Sequence, residues 1–256
     1  MEHFLTEVSR GGTVYTVVIL GSGPGVIQAR DWARTPFQAI LAINNAWQVR
    51  ADWDYLIHPE DFPIDRRPHS CRNGQKVICA HDYVPIQNEF GGFVYAGGTM
   101  AFTAAYWALG ALKPRVIAMI GCDMVYPQNG PTHFYGTGSA DPLRQDVTLR
   151  SLEAKSARLW ALAACSGCAM VNLSDAPTSR LVYPRQNHSS LNSVGTTVFD
   201  RAKIDCALRA EAETGYIVPS GRYWEVADQF DTQLIDRIDQ LWLNIASEQK
   251  SQPETA

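Results

Sequence analysis

The chain has 256 residues, 46% hydrophobic and 10% aromatic, which suits one large packed domain or a domain with an appendage. A formal net charge of -4 excludes a broad basic surface of the kind that holds a nucleic-acid backbone. The most apolar segment, Ala101 to Leu112, is too short for a membrane span. No basic-then-apolar leader opens the chain, so a soluble cytoplasmic protein is expected.

Val14 to Leu20 reads as a first strand, rich in β-branched residues, and runs into Gly21-Ser22-Gly23-Pro24-Gly25 and a short helical stretch. Strand, glycine turn and helix in that order let backbone N–H groups approach a phosphate or a nucleoside. The turn is not the full dinucleotide fingerprint, because Val26 stands where the last glycine is required. Ala39 to Ile43 is a second strand ending in Asn44-Asn45, two amides able to read a base or ribose edge or to form a turn. Tyr55 to His58 and Lys76 to Ala80 read as further strands, joined by a polar surface connection whose two arginines, Arg66 and Arg67, are also able to meet an anionic ligand. After a Gly- and aromatic-rich stretch, Gly98-Thr99 stands at the start of a helix running to Leu112.

Val116 to Ile120 is an unbroken apolar run between breakers, the mark of a strand buried on both faces. Straight after it come Gly121, Cys122 and Asp123, then Tyr126, His133 and Tyr135 in a Pro/Gly-rich loop. A long helix is read over Pro142 to Cys165 and a sixth strand over Ala169 to Leu173, ending in Ser174-Asp175-Ala176-Pro177. Six cysteines without dense spacing fit a reducing compartment. Cys165-Ser-Gly-Cys168 closes a helix rather than opening one, so it reads as packing and not as a redox pair or half a zinc site.

Alternating strands and helices define an α/β fold, a Rossmann-like parallel-rich sheet with helices on both faces, over residues 1–177. Residues 178–256 form a lid-like segment without an assigned element up to 222, then an amphipathic helix over 223–247 and a polar tail. That helix carries Val226, Phe230, Leu234, Ile238, Leu241 and Ile245 on one face, to pack on the domain or on a second copy of the chain.

The ordered set Gly21-Ser22-Gly23-Pro24, Asn44-Asn45, Gly98-Thr99 and Gly121-Cys122-Asp123 resembles that of the bacterial lipooligosaccharide sialyltransferases and the related 6-hydroxymethylpterin diphosphokinase-like proteins. The likeness covers roughly residues 14–175. It implies a Rossmann-like nucleotide domain in which Gly21, Ser22, Gly23, Asn44 or Asn45, Gly98, Thr99, Gly121, Cys122 and Asp123 surround the cytidine nucleotide of a sugar donor. Thr132-His133-Phe134-Tyr135-Gly136 is similar to that family's S-H-Y-I-G segment, and Tyr126 lies one residue from its phosphate-facing tyrosine. Two departures stand out: Thr137 occupies the place of the family's base histidine, and Ser22 that of a loop asparagine.

Sugar transfer without a metal cofactor needs a base for the acceptor hydroxyl and donors for the leaving phosphate. His133 is the candidate base, with Tyr126, Tyr135 and Arg144 as donors and His58 as the second histidine. The expected partner is a nucleotide or nucleotide-sugar. The alternative is pyrophosphate transfer from ATP to a hydroxymethyl group, which needs Mg2+ on carboxylates such as Asp123, Asp61 and Glu60. A third reading is a nucleotide sensor without turnover.

Overall fold

A computed structural model describes residues 15–138 and 144–250. Six parallel strands form one sheet: β1 (Thr16–Leu20), β2 (Ala39–Ile43), β3 (Tyr55–Ile57), β4 (Lys76–Ile78), β5 (Val116–Ile120) and β6 (Ala169–Asn172), in the order β4-β3-β2-β1-β5-β6. The fold is α/β and Rossmann-like. Val14, read as the first residue of β1, lies outside the described residues, as does Pro142.

The unbroken apolar runs follow from burial on both faces. In β1, Val17 and Ile19 pack on one side with Ile117 and Met119 of β5, while Val18 and Leu20 pack on the other with Ala118 and Ile120. The first face is covered by helices α1 (Ala80–Glu89), α2 (Phe93–Ala96), α3 (Met100–Trp107) and α4 (Leu152–Cys165), and outside them α6 (Thr232–Lys250) packs on α4 and α5 (Arg201–Thr214) on α6. The second is covered by tight turns of 3-10 helix at Pro24–Asp31, Asn44–Gln48 and His188–Ser193, through Val26, Ala29, Ala46 and Leu191.

Several element bounds differ from the sequence reading. Residues Cys79 and Ala80 do not extend β4. Cys79 caps α1, accepting no strand partner, and its backbone N–H donates to Asp82 Oδ2 at 2.8 Å. The helix read from Pro142 starts at Leu152, where the Ser151 hydroxyl accepts from the Ala154 N–H at 3.2 Å. The amphipathic helix read over 223–247 divides. A 3-10 turn covers Tyr223–Gln229, Phe230 is extended, and Asp231 Oδ1 accepts from the Gln233 N–H at 2.8 Å as α6 begins. Its buried stripe is Ile235, Ile238, Asp239, Trp242, Ile245 and Ala246, so Val226, Phe230 and Leu234 are not on it. The helix continues through Glu248 to Lys250.

The C-terminal helices join the core through buried charges. Arg158 of α4 forms a two-pronged pair with Glu211 of α5 at 2.7 Å and also donates to the Tyr106 hydroxyl and the Phe90 carbonyl. Trp242 of α6 donates to the same Glu211 at 2.8 Å, and Lys155 pairs with Asp239 at 2.7 Å. All six cysteines are free. Cys168 is buried, and burial pushes its thiol up to about 12, so Cys165-Ser-Gly-Cys168 holds no activated thiol at its second position. Among the described residues, no helix is long and apolar enough to cross a membrane.

Candidate functional site

From β1 the chain steps outward through β2, β3 and β4, then returns to place β5 on the other side of β1. The connections that follow β1 and β5 therefore diverge, and ligands of open parallel sheets bind at that point. A cleft of about 690 Å3 lies there. The ends of β1, β2 and β5 supply Gly21, Ser22 and Gly23, Asn44 and Asn45, and Gly121, Cys122 and Asp123. Thr99 and Met100 add the start of α3, and Tyr126, His133 and Tyr135 come from the loop after β5.

The glycines of the first loop bring the two strand ends together. The Gly21 N–H donates to the Ile120 carbonyl and the Gly23 N–H to the Gly121 carbonyl, both at 2.8 Å, so these two amides are spent inside the fold. A Cβ on Gly21 would meet the Gly121 carbonyl oxygen and come within 2.5 Å of Cys122 Sγ. Gly21→Ala is therefore expected to lower stability by about 1–3 kcal/mol in urea unfolding, as overpacking does. Gly25→Ala, whose Cβ meets nothing within 4 Å, is the control and should leave the midpoint in place.

Asn44 and Met124 hold positive φ, 51° and 53°, directly after β2 and just beyond β5. Non-glycine residues take this conformation at a cost, and such residues concentrate at functional sites. The side-chain oxygens Asn44 Oδ1 and Asp123 Oδ1 are buried without a hydrogen-bond partner. The other oxygen of Asp123 accepts from the Ser174 hydroxyl at 2.7 Å, which fixes the carboxylate. Burial pushes the Cys122 thiol up, so it stays neutral.

A short hairpin carries the histidine. His133 and Gly136 exchange backbone hydrogen bonds, and the Phe134 N–H donates to the Ser22 carbonyl at 3.0 Å, tying this loop to the first. The His133 ring stacks on Tyr135 with centroids 5.0 Å apart, and Tyr126 lies 6.0 Å away on a tilted plane. Thr132 Oγ1 is 2.8 Å from His133 Nδ1, 3.1 Å from the Gly138 carbonyl and 2.9 Å from the Gly138 N–H. One arrangement satisfies all four groups: the hydroxyl donates to the carbonyl and accepts from both N–H groups. Assigned in this way, Nδ1 carries the ring proton and Nε2 is the basic nitrogen. Burial lowers the pKa of this histidine below its ordinary 6.5, favouring the neutral ring.

Other candidates lie elsewhere. Gly98 is not part of the cleft lining; its N–H donates to Thr148 Oγ1 at 3.0 Å, and a Cβ there would strike the Tyr223 hydroxyl. Arg144 donates to Asp146, to the Gly98 carbonyl and to the Tyr223 hydroxyl, which takes it away from the role of phosphate donor. His58 is buried and bonded through Nδ1 to the Pro59 carbonyl at 2.8 Å. Glu60 is not in the lining, whereas Asp61 is. Among the described residues, no three His, Cys, Asp or Glu side chains come together as a metal-binding group. The sequence reading did not name Phe62, Met100, Asp175 or Thr178 as site residues, although all are on the lining, and of the two arginines it offered to an anionic ligand, Arg66 is on the lining. Arg66 reaches the cleft with a guanidinium that has no ion-pair partner among the described residues, whereas Arg67 donates to the Phe62 and Glu60 carbonyls.

The site is thus an open crevice of mixed lining at the switch point of a parallel α/β sheet, with a histidine, two tyrosines and an arginine around it. Comparisons with protein-family models, with curated proteins and with solved structures returned no match.

Proposed function

We propose that the chain is a nucleotide-binding enzyme of the glycosyltransferase class, taking a CMP-activated sugar in the switch-point cleft. The observation that carries this reading is that a single cleft is lined by the strand-end amides Asn44 and Asn45 and by His133, Tyr126, Tyr135 and Arg66. The amides offer both donors and acceptors to a base edge. Arg66 and the two tyrosine hydroxyls offer donors to phosphate oxygens.

In the transfer, the acceptor hydroxyl oxygen bonds to the anomeric carbon of the donor sugar while that carbon's bond to the phosphate oxygen breaks. The acceptor proton passes to His133 Nε2, and the electron pair of the broken bond leaves on CMP. Neutral histidine is the form that takes this proton. Thr137, which stands where the resembled family keeps its base, is absent from the cleft lining, and His133 is the histidine on it.

Calorimetry with CMP tests the binding half. Asn44→Gly keeps the positive φ of that residue and removes its amide. It should weaken CMP binding by about 1–3 kcal/mol, roughly 5- to 150-fold. Unchanged affinity would remove Asn44 from base recognition. Asp61 and Asp123 on the same lining favour a second reading, Mg2+-dependent pyrophosphate transfer from ATP. Turnover of ATP that requires Mg2+ would select it. Tight nucleotide binding with no turnover of either kind would leave a sensor.

A further inference from the structure

A second cleft, of about 540 Å3, opens beside the first, and Asp175 lies on both linings. One wall comes from the turn after β1, through Gln28 and Trp32; the other comes from the segment after β6, Arg185 to Ser190. Trp32 and His188 stack face to face, with centroids 4.3 Å apart and planes 10° apart, and both lie on the cleft lining, Trp32 backed by Phe37. The rest of the lining is mostly polar.

This wall is built in advance of any ligand. The Asn172 N–H donates to the Pro184 carbonyl at 2.9 Å, and the Gln186 N–H donates back to the Asn172 carbonyl at 3.1 Å. Arg185 donates to the Ser174 carbonyl at 2.8 Å, and Asn187 Oδ1 accepts from the Ser189 N–H at 2.9 Å. The Asn187 and Gln186 amide N–H2 groups stay free among the described residues, as do the side chains of Gln28 and Asp175. Asp175 and Arg185 offset one another in charge. An apolar ligand would find only Leu173 and the two rings to bury against, and the one arginine on the lining is already donating to the Ser174 carbonyl.

We propose that this second cleft is the acceptor subsite and that its ligand is a saccharide. A sugar ring is neutral and polyhydroxylated and has one apolar face. That face suits the side of the His188 ring turned away from Trp32, with Trp32 holding the ring in place, and its hydroxyls match the mixed donors and acceptors of Gln28, Gln186, Asn187 and Asp175. The inference rests on the transfer reading of the first cleft, because an acceptor must enter beside the donor, and Asp175 marks the junction.

The test is a glycan array of terminal hexoses, N-acetylhexosamines and sialosides, probed with labelled wild-type chain, Trp32→Ala, Gln28→Ala and Gln186→Ala. Calorimetry with CMP is run on the same preparations. The wild type is expected to bind at least one class of glycan. Each exposed-amide variant should lose about 5- to 150-fold, the loss of one hydrogen bond, with CMP affinity unchanged. Gln28 and Gln186 are exposed, so their variants separate lost binding from lost folding if Trp32→Ala proves unstable. An array with no bound class, or equal binding by Gln28→Ala, Gln186→Ala and wild type, would overturn the subsite while CMP binding kept the donor reading. Glycan binding through these residues in a chain that does not bind CMP would overturn the acceptor role and leave a lectin-like cleft.

Discussion

Glu211→Ala is expected to cost about 3–5 kcal/mol of stability, the largest loss foreseen for any single change outside the cleft. Arg158 and Glu211 are each almost wholly buried, and their two-pronged pair joins α4 to α5. Removing the carboxylate leaves the Arg158 guanidinium in the interior with only the Tyr106 hydroxyl and the Phe90 carbonyl. It also strips the indole N–H of Trp242 of its acceptor, loosening α6 from the same point. A buried charge without a partner bears its full desolvation cost. Urea unfolding gives the measurement. The double variant Arg158→Met/Glu211→Leu is the control, because replacing both charges with apolar groups should recover most of the loss. If Glu211→Ala unfolds at the wild-type midpoint, the pair does not hold the C-terminal helices.

The same network explains why α5 escaped the sequence. Its buried face is Ile204, Ala207 and Glu211, one large apolar residue, one small and one charged, so it carries little hydrophobic period. Its end signals were present, Asp200 accepting from the Ala202 N–H and Gly215 in the left-handed conformation, but caps without a stripe do not announce a helix. Pro85 hid α1 in a similar way, since proline inside a helix removes one bond of its ladder; here the ring sits on the exposed face. Asp231-Thr232 was the missed start of α6, overrun because apolar residues continue upstream in a differently folded turn.

Strands β1, β2 and β5 were legible because each is five residues long, apolar throughout except for Thr16, and buried on both faces. Parallel strands put all their carboxyl ends on one rim, so legible strands made most of the cleft legible too. Distant segments were not. Phe62 reaches the site through tertiary packing with no local pattern to mark it, Asp175 sits just past the carboxyl end of β6, and the choice of Arg66 over Arg67 is made only by the fold. The glycine loop was read for its type and misjudged in use: Gly21 and Gly23 give their amides to the end of β5, because two crossing backbones need the space.

His133→Asn is expected to lower turnover by roughly 10²- to 10⁴-fold while leaving CMP affinity nearly unchanged. Asparagine is close in size and polar, so the hairpin bonds between His133 and Gly136, which are backbone bonds, survive the change. What is lost is the nitrogen that takes the acceptor proton. The pH profile carries the same signature. Burial holds the His133 pKa below 6.5, so the neutral base is populated at lower pH than for an exposed histidine. The rate should therefore rise with pH through a limb lying below 6.5 and then level off, and His133→Asn should abolish that limb. Thr132→Val provides the positioning test. It removes the oxygen that accepts from Nδ1–H, so the ring proton is free to move to Nε2, the nitrogen that must be bare. Thr132→Val should then lower turnover with the CMP affinity retained, and Thr132→Ser should restore it. Wild-type turnover in His133→Asn would exclude this histidine as the base.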